Sequence, residues 1–216
     1  MNANKLLFVC GMAMAAFLDF AVGTLLAVVV GNLMGKQVNL WYSFVGGFLA
    51  LSPDLVEMAK ARLKWEKLTN NHHESWDHCP IPMITIGTIL GCVIGGWYWG
   101  IVTFLCLFFH YNHDMEIGNS GGIAFFAPFS RKFFAWWRGF YDPKTSAMYR
   151  PENEFDSWIR RNWLRPSTMS MREMLIGAIS ISTATGLTMG FKIGALLFCL
   201  CWIGTWMIWL SAEPKK

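Results

Sequence analysis

The chain has 216 residues, of which 54% are hydrophobic, 16% aromatic and only 15% charged. Soluble domains carry nearer a quarter charged residues, so the balance argues against an ordinary soluble fold and for an integral membrane protein. The net charge of +4 follows the distribution of cations about the apolar segments, and no nucleic-acid partner is expected.

The first apolar run, Leu6 to Leu18, is interrupted by Asp19 and resumes from Phe20 to Gly35. No small-residue cleavage pattern follows it, so it reads as a retained helix over 5–34 and not as a signal peptide. A second helix is expected over 39–54. The segment 55–78 is polar, with "EMAKARLKWEKL" predicted as a further helix. Cys79 to Phe109 is the longest uncharged run, well beyond the roughly 20 residues that a spanning helix needs. Pro80 and Pro82 suit the opening of a helix. A turn near "GGWYWG" divides the run into arms over 81–96 and 98–114. Each arm is short for a full span, so tilt or local thinning is expected. Gly87, Gly91 and Gly95 form a ridge along which helices approach closely in lipid, as do Gly186, Gly190 and Gly194. Residues 115–173 interleave aromatics with arginines, as in "FFAPFSRKFFAWWRGFYDP" and "FDSWIRRNWLRP". That composition predicts a segment on the cytoplasmic membrane face. Helices over 174–190 and 193–212 complete the chain. The expectation is an all-α, polytopic protein of about six membrane helices, some short or re-entrant, forming one membrane domain over 1–216.

Charge placement agrees with this topology. With the N- and C-termini cytoplasmic, only Lys36 and Lys192 of the 18 Lys and Arg fall in outer loops, as the positive-inside rule requires. The six cysteines (Cys10, Cys79, Cys92, Cys106, Cys199 and Cys201) are scattered, with no CxxC pair, and read as small apolar residues.

All 5 histidines fall between positions 72 and 113. One cluster is "NNHHESWDHCP", with His72, His73 and His78. The other is "FHYNHD", with His110, His113 and Asp114. Asp54 and Glu57 in "LSPDLVE" add carboxylates, and Asp77 and Glu74 lie inside the first cluster. Imidazole and carboxylate are ligands of zinc, manganese and non-haem iron. His110 and Asp114 share a helix face, as do Asp54 and Glu57. A continuous helix through the long apolar run would hold His78 and His110 about 50 Å apart. Only the hairpin lets both reach one ion. Charged groups beside a membrane are costly without a partner, so a metal site is expected.

These motifs resemble the LexA-regulated, inner-membrane metal-dependent hydrolases of bacteria and archaea. That family has an early His four residues before a Gly, then Pro-Asp-x-Asp-His, His-Arg-Gly-x-Thr-His, and His-x-x-x-Asp with a glycine-apolar run ending in Pro-Phe. Pro53-Asp54, following "GGFLAL", begins the second motif; His73 and His78 match the spaced pair; His110 and Asp114 match the next. Gly122-Ile123 and "FFAPFS" match the trailing run. The resemblance covers about residues 19–130. It departs where Asp19 stands for the early His, where Val56-Glu57 replaces Asp-His, and where Glu74-Ser75 and Asp77 replace Arg-Gly and Thr.

The resemblance implies a multi-pass protein of the bacterial inner membrane that hydrolyses a phosphoester with a metal-activated water. Expected ligands are Asp54, Glu57, His73, His78, His110 and Asp114, with Asp19 the early one. Asp77 and Glu74 are general-base or supporting candidates, and His72 and His113 are held in reserve. Arg131 or Arg138 would bind phosphate if they act beyond topology. The metal expected is a divalent ion, zinc first, manganese or iron next. The membrane-side location suggests a lipid-borne substrate and membrane lipid as partner. The rival reading is a catalytically inactive metal-binding or scaffold membrane protein.

Overall fold

The structure, a computed structural model, describes residues 3–64, 73, 75–115, 122–136, 138–142 and 155–212. It is mostly helical, with seven helices among those residues. In chain order they are α1 (Ala3–Ala15), α2 (Phe17–Leu33), α3 (Leu40–Lys64), α4 (Pro80–Asp114), α5 (Phe155–Asn162), α6 (Thr168–Met189) and α7 (Phe191–Ala212). A 3₁₀ turn, Trp76–His78, precedes α4, and two short strands, β1 (Phe133–Ala135) and β2 (Gly139–Tyr141), follow it. Two helices, α4 and α7, are long and apolar enough to cross a membrane; α1 and α2, bent by 43° at their junction, make a third span if taken together. The chain packs as two compact units, residues 1–48 with 156–216, and residues 49–155.

In the first unit α6 packs on α2 and on α7. Ser167 caps α6: its Oγ accepts from the Ser170 amide at 3.0 Å, while the Ser167 amide donates to Ser170 Oγ at 3.1 Å. This reciprocal pair satisfies amide donors that the first helical turn leaves open. Gly190 ends α6 with φ +102, and α7 then folds back. A Cβ on Gly194 would sit 3.0 Å from Gly186 Cα, so the second glycine ridge is what allows these helices to touch. Trp209 Nε1 donates to the Trp163 carbonyl at 3.0 Å, with both rings buried.

The second unit is built on α4, which is two helices in one. Gly96 has φ 75 and ψ −175, a conformation open essentially to glycine alone. The chain reverses there into two arms of roughly 16–18 residues, each about 25 Å long. The glycine ridge faces the returning arm. A Cβ on Gly87 would meet Leu107 Cδ1 at 2.7 Å, and one on Gly91 would meet Thr103 Oγ1 at 2.8 Å. Pro80 and Asp114 therefore lie at the same end of the hairpin.

The part of α3 in this unit carries an internal proline, Pro53. A proline has no N–H for the carbonyl four residues earlier, here Leu49. Ser52 Oγ donates to that carbonyl at 2.8 Å, which repairs the ladder one residue before Asp54. The helix also continues beyond its apolar portion, Leu40–Val56, into the polar residues as far as Lys64.

The strands close the open end of the α4 hairpin. Phe133 pairs with Tyr141, Phe134 with Phe140 and Ala135 with Gly139. Ile123 bridges to Phe134 and joins Leu107, Tyr111 and Met115 in a buried cluster. Phe133, with Ala124 and Ala127, packs against Cys79 at the start of α4. The Trp136 amide donates to the Met115 carbonyl at 3.0 Å, tying the strands to the end of α4.

Candidate metal centre

Five side chains from separate parts of the second unit meet at the open end of the α4 hairpin. Asp54 comes from α3, one residue beyond Pro53. His78 ends the 3₁₀ turn, and His110 and Asp114 stand one turn apart near the end of α4. His73 lies ahead of the turn. His78 Nε2 is 3.4 Å from Asp54 Oδ1, and His110 Nε2 is 3.9 Å from the same oxygen. His110 Nε2 is also 3.4 Å from Asp114 Oδ2, while His73 Nε2 is 3.9 Å from Asp114 Oδ1. The donors form two overlapping triads, Asp54–His78–His110 and His73–His78–Asp114, with the atoms of each within 4.8 Å of one another.

These spacings bear on chemistry. They exceed the 2.7–3.2 Å of a normal N–H···O contact. Two ligands about 2.0–2.1 Å from one tetrahedral ion would stand about 3.3 Å apart. The His78–Asp54 and His110–Asp114 pairs, at 3.4 Å, match that spacing, and the 3.9 Å pairs are wider. His73, His78 and His110 are buried, Asp114 nearly so, and Asp54 is 33% exposed. Asp54 is the ligand candidate that opens towards water.

The local structure orients the rings. His73 Nδ1 lies 3.1 Å from the Gly122 carbonyl. A carbonyl only accepts, so Nδ1 carries the proton and Nε2 turns its lone pair towards Asp114. Such a bond from the distal nitrogen is the usual way a ligand histidine is aimed. His73 stacks on His78 at 5.3 Å, and His78 lies 5.8 Å from His110. The Tyr111 hydroxyl donates to the Asp77 carbonyl at 2.7 Å, clamping the turn to α4. Within the turn, Ser75 Oγ donates to Asp77 Oδ1, and the His78 amide donates to the Ser75 carbonyl at 3.1 Å.

Burial holds the His73 imidazole below its ordinary value, against the opposing pull of Asp114 and with help from His78. It is neutral at pH 7, the form that binds a metal. Burial also pushes the Cys79 thiol up, as does Asp77, while Arg131 works the other way. Cys79 therefore stays a thiol beside the centre, and its Sγ points to the Ser75 carbonyl at 3.6 Å.

Of the residues singled out from sequence, the structure brings together Asp54, His73, His78, His110 and Asp114. Asp77 is fully buried beside them in the turn. His113 stacks on Phe109 at 6.2 Å. Asp19 is buried in α2, in the first unit. Glu74, His72 and the Glu57 side chain lie outside the described residues and atoms. Arg131 is exposed, and the Arg138 guanidinium sits 4.4 Å over the Tyr141 ring. Sequence reasoning missed Gly122, Ser75 and Tyr111 as supports. Tyr111 directly follows a ligand candidate, which is a usable signal; a backbone carbonyl such as that of Gly122 leaves none.

No family model matches the chain, and neither a curated protein nor a solved structure matches it.

Proposed function

We propose that the chain is a membrane-bound, metal-dependent hydrolase acting on a phosphoester in a lipid or other amphiphile. The observation that carries this reading is the convergence of Asp54, His73, His78, His110 and Asp114 at one end of an apolar helical hairpin. We place the protein in a bacterial inner membrane, both termini cytoplasmic. Its six membrane segments are α1 with α2, the apolar part of α3, the two arms of α4, α6 and α7. The resemblance to the LexA-regulated hydrolases supports the same assignment.

The three histidines and two aspartates would hold a divalent ion, zinc before manganese or iron. When bound, such an ion lowers the pKa of water towards neutrality and polarises a phosphoryl oxygen. The protein's own groups do the rest. Gly122 fixes the tautomer of His73, and Tyr111 and Ser75 hold the His78 turn. Asp54 keeps solvent access and is the carboxylate placed to meet an entering water. We assign Asp77 to supporting the turn, since it accepts from Ser75 and is fully buried.

The test is metal analysis of the detergent-purified protein, with phosphodiesterase and phospholipase assays before and after chelation. About one or two ions per chain and chelator-sensitive turnover are expected. His110→Ala, which touches both carboxylates, should lower metal affinity more than about 10-fold. Unchanged metal content in that variant overturns the ligand set, and full activity in stripped protein overturns the mechanism. Metal without turnover of any phosphoester would favour the non-catalytic metal-binding reading, to which the altered Glu74-Ser75 positions already lend weight.

A further inference from the structure

The β1–β2 ribbon is apolar on both faces, which a two-stranded hairpin in water does not sustain. Its inward face is accounted for: Phe133 and Ala135 are buried, and Phe133 packs with Ala124, Ala127 and Cys79. The other face carries Phe134, Trp136 and Phe140, since residues two apart share a side and Phe134 pairs with Phe140. The Phe134 ring lies 5.0 Å from Phe140 and 5.3 Å from Trp136, and Phe126 extends the patch at 5.6 Å from Phe140. Trp136 is 60% exposed, Phe140 53% and Phe126 42%, and Phe129 on the preceding turn reaches 85%. Arg131, Lys132 and Arg138 are exposed on the same ribbon and its approach, against one exposed acid, Asp142.

We propose that this aromatic–basic ribbon docks on the headgroup layer of an anionic membrane, Phe129 and Trp136 entering the interface and Arg131 and Lys132 meeting lipid phosphates. Two observations select a lipid surface. The ribbon packs with Cys79 and, through Phe134 and Trp136, with the Leu107, Tyr111 and Met115 end of α4, where both arms of the hairpin end, so it lies at the height where that apolar hairpin leaves the bilayer. Its exposed set, rings interleaved with cations, is complementary to a surface that is apolar below and negative above. The proposal rests on the membrane segments alone and holds whatever chemistry the His/Asp centre performs.

The ribbon's backbone bonds supply the reporter. The amides of Ile123, Phe134, Trp136 and Arg138 donate to Phe134, Ile123, Met115 and Ala135 carbonyls, and their hydrogen exchange measures opening of the ribbon. Full-length protein is to be compared in nanodiscs of phosphatidylcholine and in nanodiscs containing phosphatidylglycerol. Exchange at these amides should be at least about fivefold slower in the anionic discs, the gain expected from one basic residue near such a surface. Arg131→Gln with Lys132→Gln should abolish the difference, and high salt should shrink it. Phe129→Ser should speed exchange in both discs while leaving the thermal midpoint unchanged, which separates lost docking from misfolding. Equal exchange in the two lipids overturns the proposal. So does protection that appears in lipid-free detergent and rises with protein concentration, since a second copy would then be the cover.

Discussion

His110 stands between the two carboxylates, 3.9 Å from Asp54 and 3.4 Å from Asp114, while His78 is the one ring common to both triads. His73 makes the centre sensitive to pH. Burial holds it below its ordinary 6.5, so as pH falls the unfolded chain takes up that proton before the folded one does. Stability from this group is complete above about pH 6.5 and is lost as pH drops towards the lower folded value. In chelator, the thermal midpoint should be flat from about pH 7 to 8 and decline below about 6.5. His73→Asn should flatten that decline; a variant with the same pH profile as the parent would show that another group is responsible. Metal affinity should weaken only at lower pH, below the depressed folded value, where protons begin to compete with cations for Nε2. At this scale the candidates were legible, because histidine and aspartate at helical spacing are visible as letters. The tautomer of His73 was not, because it is set by a carbonyl 49 residues away.

Among the elements, the α4 hairpin decides whether a centre exists at all. Were Gly96 to continue the helix, His78 and His110 would stand about 50 Å apart. Gly96→Ala places a Cβ in a backbone region reserved for glycine, at a cost of about 1–3 kcal/mol. The expected result is a thermal midpoint several degrees lower, with metal content falling alongside it. A variant of wild-type stability would mean that the reversal lies elsewhere. This fold-back was readable from "GGWYWG" together with the charge asymmetry. The bend between α1 and α2 was not, since it falls at Ala16, where no proline or glycine announces it. Nor were the strands foreseen in a segment that reads as an aromatic–basic loop. Phe133, Phe134, Phe140 and Tyr141 favour a pleated surface only once α4 offers one to pack on.

For the whole molecule, the proposed ion would tie α3, the 3₁₀ turn and α4 together, so its removal should be felt well beyond the ligands. A ligand that binds only the folded state adds RT ln(1 + [L]/Kd), about 2.7 kcal/mol at 100 times Kd. Chelation should therefore lower the midpoint by several degrees, and zinc added back should restore it. An unchanged midpoint would detach the centre from folding.

Hydropathy, charge asymmetry and the spacing of His and Asp are properties of short windows, and by themselves they determined the membrane class, most helices and the roster of ligand candidates. Which candidates meet was decided only by the tertiary structure. Asp54, His73, His78, His110 and Asp114 converge because Gly96 reverses α4, Tyr111 clamps the turn and Gly122 aims a ring. The Gly96 turn is written locally, but the Tyr111–Asp77 and His73–Gly122 contacts join residues distant in the chain, which no local pattern encodes.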